Sequence, residues 1–196
     1  MAQPPVAFPH RLVRGLVGLV AFWVGMFGPN AYVGAENLAN YDQRMLGTLA
    51  LLDADPTTNQ LHTVLDSNRV VVRFVAMAPG VYARYSVARH VIEIDDRWAD
   101  TDDITLAAVI AHEATHAQDA VSGYLSSGGA SACIDSEVRA FRTSALFWLG
   151  QYGRVGKADP QNELERQLNS IADRQVRDPS GLDDLIRQTY SQQCAH

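Results

Sequence analysis

The chain has 196 residues, 47% hydrophobic and 19% charged, which suits one globular domain plus a short targeting segment and weighs against wholesale disorder. The formal net charge is −6 and the 16 Lys and Arg residues form no cluster, so nucleic acid is not an expected partner.

Residues 1–35 stand apart. Arg11 and Arg14 lie in an acid-free start, and an apolar run follows from Leu16 to Gly28. At helical rise such a run spans about 20 Å, short of the roughly 30 Å of a bilayer core. Val33 and Ala35 then meet the small-residue rule for a cut before Glu36. This order reads as a secretory signal, with an uncleaved anchor (residues 12–33 associated with a membrane) and a buried core helix as the alternatives. The expectation is export, to the periplasm, the cell surface or the medium, of a domain spanning 36–196. Cys133 and Cys194 fit that compartment, where they would form one bridge. Closing that loop is worth about 4 kcal/mol in the chain-entropy description. Two free thiols are the alternative.

In the remaining chain, Leu38, Tyr41, Met45, Leu49 and Leu52 recur at helical spacing and predict a helix over 36–53. Leu61, Val64 and Leu65 suggest a short second helix. "RVVVRFVAM", "VYARYSV" and "HVIEID" read as three strands, the first two parted by Pro79-Gly80. A polar loop follows, in which Thr101 or Asp102 would cap a helix running to about Val121. "SGYLSSGGAS" reads as a flexible loop before a helix over about 132–149. Pro160 would open a further helix carrying Leu164, Leu168 and Ile171, and "DPSG" would break it before a last short one with Leu182, Leu185 and Ile186. The expected fold class is α+β: a small three-stranded sheet packed on one helix, with several more helices around it.

The chemistry lies in "LAAVIAHEATHAQDA", residues 106–120. His112 and His116 fall on one helical face, about 6 Å apart at Cβ. Two neutral imidazoles so placed can meet one ion at Zn–N distances of about 2.0–2.1 Å. Glu113, about 100° round the helix, is poorly placed to join them as a ligand but well placed to reach a water beside the ion. Leu106, Ala107, Ile110, Ala114, Ala117 and Val121 cluster on the opposite face, so the histidines are expected to look into a cleft. The bland alternative is two surface histidines beside an acid. A catalytic zinc needs a third ligand, and Glu137 on the next helix is the candidate, on a face shared with Phe141, Ser144 and Trp148. Asp135 is its rival, and a salt bridge to an arginine is the other role open to Glu137. Asp119, one turn past His116, is placed to support a ligand.

"AHEATHAQD" followed by the acid of "SEVRAF" resembles the gluzincin class of zinc metallopeptidases, the grouping that includes thermolysin. It is most similar to the small, largely uncharacterised bacterial metallopeptidases of that general pattern, over about residues 60–150. The resemblance implies a minimal zincin-like fold, Zn2+ on His112, His116 and Glu137, Glu113 as general base, and a peptide or protein substrate. It also implies that "HVIEID", the strand before the active-site helix, aligns the peptide. The chain departs from the larger members in two ways. Phe141 stands where they carry an Asp that holds a ligand histidine, and no second lobe supplies a catalytic Tyr or His. Tyr124, Tyr152 and Arg139 are the available donors for an oxyanion. Two functions follow. One is a zinc-dependent metallopeptidase. The other is a non-catalytic exported or anchored accessory subunit that keeps the fold and a structural zinc.

Overall fold

The computed structural model describes residues 43–195. The segment read as a targeting signal and the start of the first expected helix lie outside these residues. Helices α1 (Gln43–Ala54) and α2 (Asn59–Ser67) lead into strands β1 (Val71–Val75), β2 (Ala83–Ser86) and β3 (Val91–Asp95). Helices α3 (Asp103–Val121), α4 (Tyr124–Ser127), α5 (Gly129–Tyr152), α6 (Glu163–Arg177) and α7 (Pro179–Tyr190) complete the domain, with a short C-terminal turn at Gln193–Ala195. The fold is α+β, as the spacing of apolar residues predicted. No helix of the described residues is long and apolar enough to cross a membrane.

The sheet has the order β1-β3-β2, with β1 parallel and β2 antiparallel to β3. Alternation gives it two faces. Val72, Ile92, Ile94, Ala83 and Tyr85 are buried on the core side. Arg73, Glu93 and Arg84 lie in register on the other, where Glu93 meets Arg73 at 2.5 Å, Arg84 at 2.6 Å and Arg89 at 3.1 Å. Burial would raise the Glu93 pKa, but these arginines bring it below the usual value.

β3 is the middle strand, so both its edges are paired and "HVIEID" has no edge left to align a peptide. Among the described residues, the strand beside α3 with an edge that no other strand pairs is β2. The Asp95 N–H donates to the Tyr82 carbonyl at 2.8 Å, which sets the parity of the antiparallel ladder. Tyr82, Arg84 and Ser86 turn their backbone groups toward β3, and Ala83 and Tyr85 turn theirs away.

α3 is the central helix. Asp102 caps it, accepting from the Thr105 N–H at 2.8 Å and the Thr105 hydroxyl at 2.9 Å. Its alanines allow close approach of neighbours on every side, and side chains from Thr105 to Ala117 are all buried. The stretch expected to be a loop after α3 is instead largely helical. Gly123 and Gly129 take left-handed backbone conformations, with φ of 77° and 56°, and turn the chain through α4 into α5. α5 thus starts before residue 132 and packs antiparallel along α3. Asn162 caps α6, and Pro160 lies just outside it. "DPSG" is a junction in which Asp178 ends α6 and caps α7, accepting from the Gly181 N–H at 2.9 Å. α7 is fastened to α5 by the Arg142–Asp183 and Arg187–Asp135 ion pairs. The Cys133–Cys194 disulfide fastens the C-terminal turn to the same helix, with Cα atoms 5.6 Å apart.

Candidate metal centre

Two helices build the site. α3 projects His112 and His116 from successive turns, and α5 brings Glu137 against them. The two Nε2 atoms are 3.2 Å apart. Glu137 Oε1 lies 3.6 Å from His116 Nε2, and Oε2 lies 3.7 Å from His112 Nε2. The last two separations are too long for hydrogen bonds. They suit donors sharing one ion, since tetrahedral ligands at about 2.0–2.1 Å stand roughly 3.3–3.4 Å apart. The three donor atoms lie within 4.8 Å of one another, and among the described residues no other trio of His, Cys, Asp or Glu does so. Glu113 is not a member of that group.

The donors are more enclosed than expected. His112, Glu113 and Glu137 are 1% exposed and His116 is 0% exposed, so they do not line an open cleft. The cause is α5 and what lies behind it. The Phe141 ring packs edge-on to His112 with centroids 4.6 Å apart, and Tyr190 of α7 packs on Phe141 at 5.7 Å. Phe141 therefore holds His112 by packing.

Burial shapes the electrostatics. It drives the His112 pKa well below 6.5, with the charge of His116 adding to the effect. It lowers that of His116 to about 3, helped by the Arg139 cation. It raises Glu113 and Glu137 well above 4.5. The backbone of Tyr85 offsets the rise at Glu113 in part, and the nearby Glu113 charge adds to it at Glu137. The Tyr85 N–H approaches Glu113, but neither Glu113 oxygen nor Glu137 Oε2 receives a hydrogen bond of good geometry, and all three are buried. Uncompensated buried carboxyls cost free energy. A cation among these three donors would remove that cost, so the residues fit a metal ion.

Around the ligands runs a polar relay. His116 Nδ1 is 2.8 Å from Ser136 Oγ, and the Ser136 hydroxyl donates to Asp119 Oδ2 at 2.6 Å. Arg139 pairs with Asp119 at 2.8 Å and lies 4.2 Å over the Tyr124 ring. Asp119 thus reaches His116 through Ser136 rather than directly. That serine went unnoticed in the sequence, where the one hint is a small hydroxyl next to the candidate ligand in "DSE". Asp135 does not reach the histidines. It accepts from the Tyr124 hydroxyl at 3.2 Å and pairs with Arg187 at 2.7 Å. Of the oxyanion candidates, Tyr124 and Arg139 are engaged with these acids. Tyr152 lies about 22 Å along α5 from Glu137 by helical rise. His90 lies in the turn between β2 and β3 with φ of 51°, away from the centre.

Comparison of the chain with protein families, with curated proteins and with solved structures found no match.

Proposed function

We propose that this protein is a zinc-dependent metallopeptidase of the gluzincin kind. The observation that carries this reading is a trio of protein donors with a fully buried carboxyl, Glu113, beside it and outside it. Structural zinc sites close with four protein ligands, whereas catalytic ones keep three and leave a position open. Zinc held by His112, His116 and Glu137 would supply a Lewis acid that acidifies water and polarises a carbonyl. Glu113 takes the proton of the attacking water and hands it to the leaving amine. Its raised pKa suits a group that must carry that proton near neutrality. The β2 edge that Ala83 and Tyr85 turn away from β3 is the one an extended peptide would approach, with the Tyr85 N–H directed at Glu113.

The Cys133–Cys194 bridge and the leader-like start of the chain support an exported location. A specific observation favours the second reading, an exported accessory subunit with a structural zinc: the centre is sealed, and a peptide reaches it only if its cover moves. One experiment separates the two. The zinc-loaded protein is incubated with a broad peptide library, with and without a chelator. Cleavage lost to the chelator and regained with zinc supports the peptidase. Retained zinc with no cleavage replaces it with the accessory subunit.

A further inference from the structure

We infer that Ser136 is a positioning residue of the metal centre, whose hydroxyl holds the His116 ring in the one tautomer that leaves Nε2 able to ligate. The inference rests on the metal-centre reading and adds to it a residue to which neither motif nor resemblance assigns a role.

A serine hydroxyl has one proton to give and lone pairs to accept with. Asp119 decides where the proton goes. It is ion-paired with Arg139 at 2.8 Å, and as a carboxylate it only accepts. The Ser136 Oγ to Asp119 Oδ2 distance of 2.6 Å is in the range of a charge-assisted O–H bond. The serine proton is therefore committed to Asp119. The second contact of the same oxygen, 2.8 Å to His116 Nδ1, must then be one in which Nδ1–H donates. A neutral imidazole carries one N–H, so Nε2 is bare. Nε2 is the atom that faces His112 at 3.2 Å and Glu137 at 3.6 Å.

Without the hydroxyl, nothing of this relay would keep the proton on Nδ1, and the ring is free to carry it on Nε2, where it blocks ligation. Ser136 is 0% exposed and Asp119 8%, so no bulk water stands ready to replace the serine. The position is economical: Ser136 precedes Glu137 on α5, so one helical segment carries a ligand and the group that orients another ligand from α3.

The test uses the wild type, Ser136→Ala, Ser136→Thr and Asp119→Asn. Two quantities are read: zinc affinity by competition with a chromogenic chelator, and the His116 tautomer in metal-free protein by long-range 15N–1H correlation. The wild type is expected to show Nδ1–H. Ser136→Ala is expected to shift the ring toward Nε2–H and to weaken zinc binding by roughly 10–100-fold, the usual worth of such partners. Ser136→Thr restores the hydroxyl and should restore both. Asp119→Asn keeps the volume but frees the serine proton, and should move the tautomer in the same direction. If Ser136→Ala does not fold, the threonine and asparagine variants still decide. A merely structural tie between α3 and α5 would lower the melting temperature and leave tautomer and affinity unchanged, which overturns the inference. So does Nε2–H in the wild type, whatever the protein binds. A wild type with Nδ1–H that takes up no zinc removes the metal-centre reading instead, and with it the purpose assigned to Ser136.

Discussion

Cys133 and Glu137 lie one turn apart on α5, so the disulfide that holds the C-terminal turn is built into the same segment as the carboxylate facing the histidine pair. α7 joins the same helix through Arg142–Asp183 and Arg187–Asp135 and brings Tyr190 against Phe141, which in turn packs on His112. The candidate metal centre is thus braced from its covered side by elements that arrive last among the described residues.

The bridge spans 61 residues of sequence, and losing it removes a constraint worth about 4 kcal/mol on the unfolded chain. Cys194→Ser should lower the unfolding free energy by roughly that amount, within the usual 2–5 kcal/mol range, in a urea titration. Non-reducing peptide mapping of wild type from its exported location should show one cross-linked pair. Two free thiols there contradict both the bridge and the export argument.

Zinc should stabilise the protein in a pH-dependent way. The His112 and His116 pKa values are lowered in the folded state, so the stability their neutral forms lend is present above about 6.5 and lost as pH falls. Protonation also competes with ligation. At about 100 times its Kd, zinc should add about 2.7 kcal/mol. Thermal melts with and without zinc should differ at about pH 7.5 and converge by about pH 5. His116→Ala should show no zinc-dependent shift at either pH. A shift that survives in this variant refutes the ligand assignment.

Much of this arrangement was legible in sequence because it is local. The four-residue spacing of His112 and His116, the cap at Asp102 and the apolar spacing in α1, α6 and α7 depend on helical period alone. What was illegible is non-local. The face of α3 that carries the histidines was expected to be open because its residues are polar, but the cover comes from Phe141 on another helix. β3 was expected to offer an edge, and the parallel pairing of β1 across it leaves no trace in either strand's alternation. "SGYLSSGGAS" has a loop composition, yet its glycines serve to turn between helices. Ser136 acquires its role only from Asp119 and His116, both on α3.

Asp102 links the start of α3 to the α5–α6 connection, since Lys157 donates to it at 2.8 Å and also meets Glu165 at 2.8 Å. Burial alone would raise the Asp102 pKa. The hydrogen bonds from Lys157 and Thr105 outweigh it and bring the pKa from 3.8 down to about 2. A depressed carboxylate pKa contributes stability above its unfolded value, and that stability is lost as pH falls through the folded one. Asp102→Asn keeps an acceptor for the Thr105 N–H but not the charge. Its melting temperature should lie below the wild type's at neutral pH and approach it by about pH 2. Asp102→Ala also loses the cap and should cost a further ~1 kcal/mol.

The sharpest separation between ligand and base falls on adjacent residues. His112 is one of the three converging donors, and Glu113 is buried beside that group and outside it. Glu113→Gln keeps the size and the hydrogen-bonding reach but cannot take a proton. It should hold zinc as the wild type does, melt at or above the wild-type temperature because a buried ionisable group is gone, and hydrolyse peptides roughly 10²–10⁴-fold more slowly. His112→Ala should lose zinc and hydrolysis together, with some stability, because metal binding is coupled to folding. Both variants are compared by metal content, thermal melt and initial rate on one peptide. Equal rates for Glu113→Gln and wild type would show that Glu113 is not the base. Loss of zinc in Glu113→Gln would place it among the ligands and turn an open catalytic site into a closed structural one.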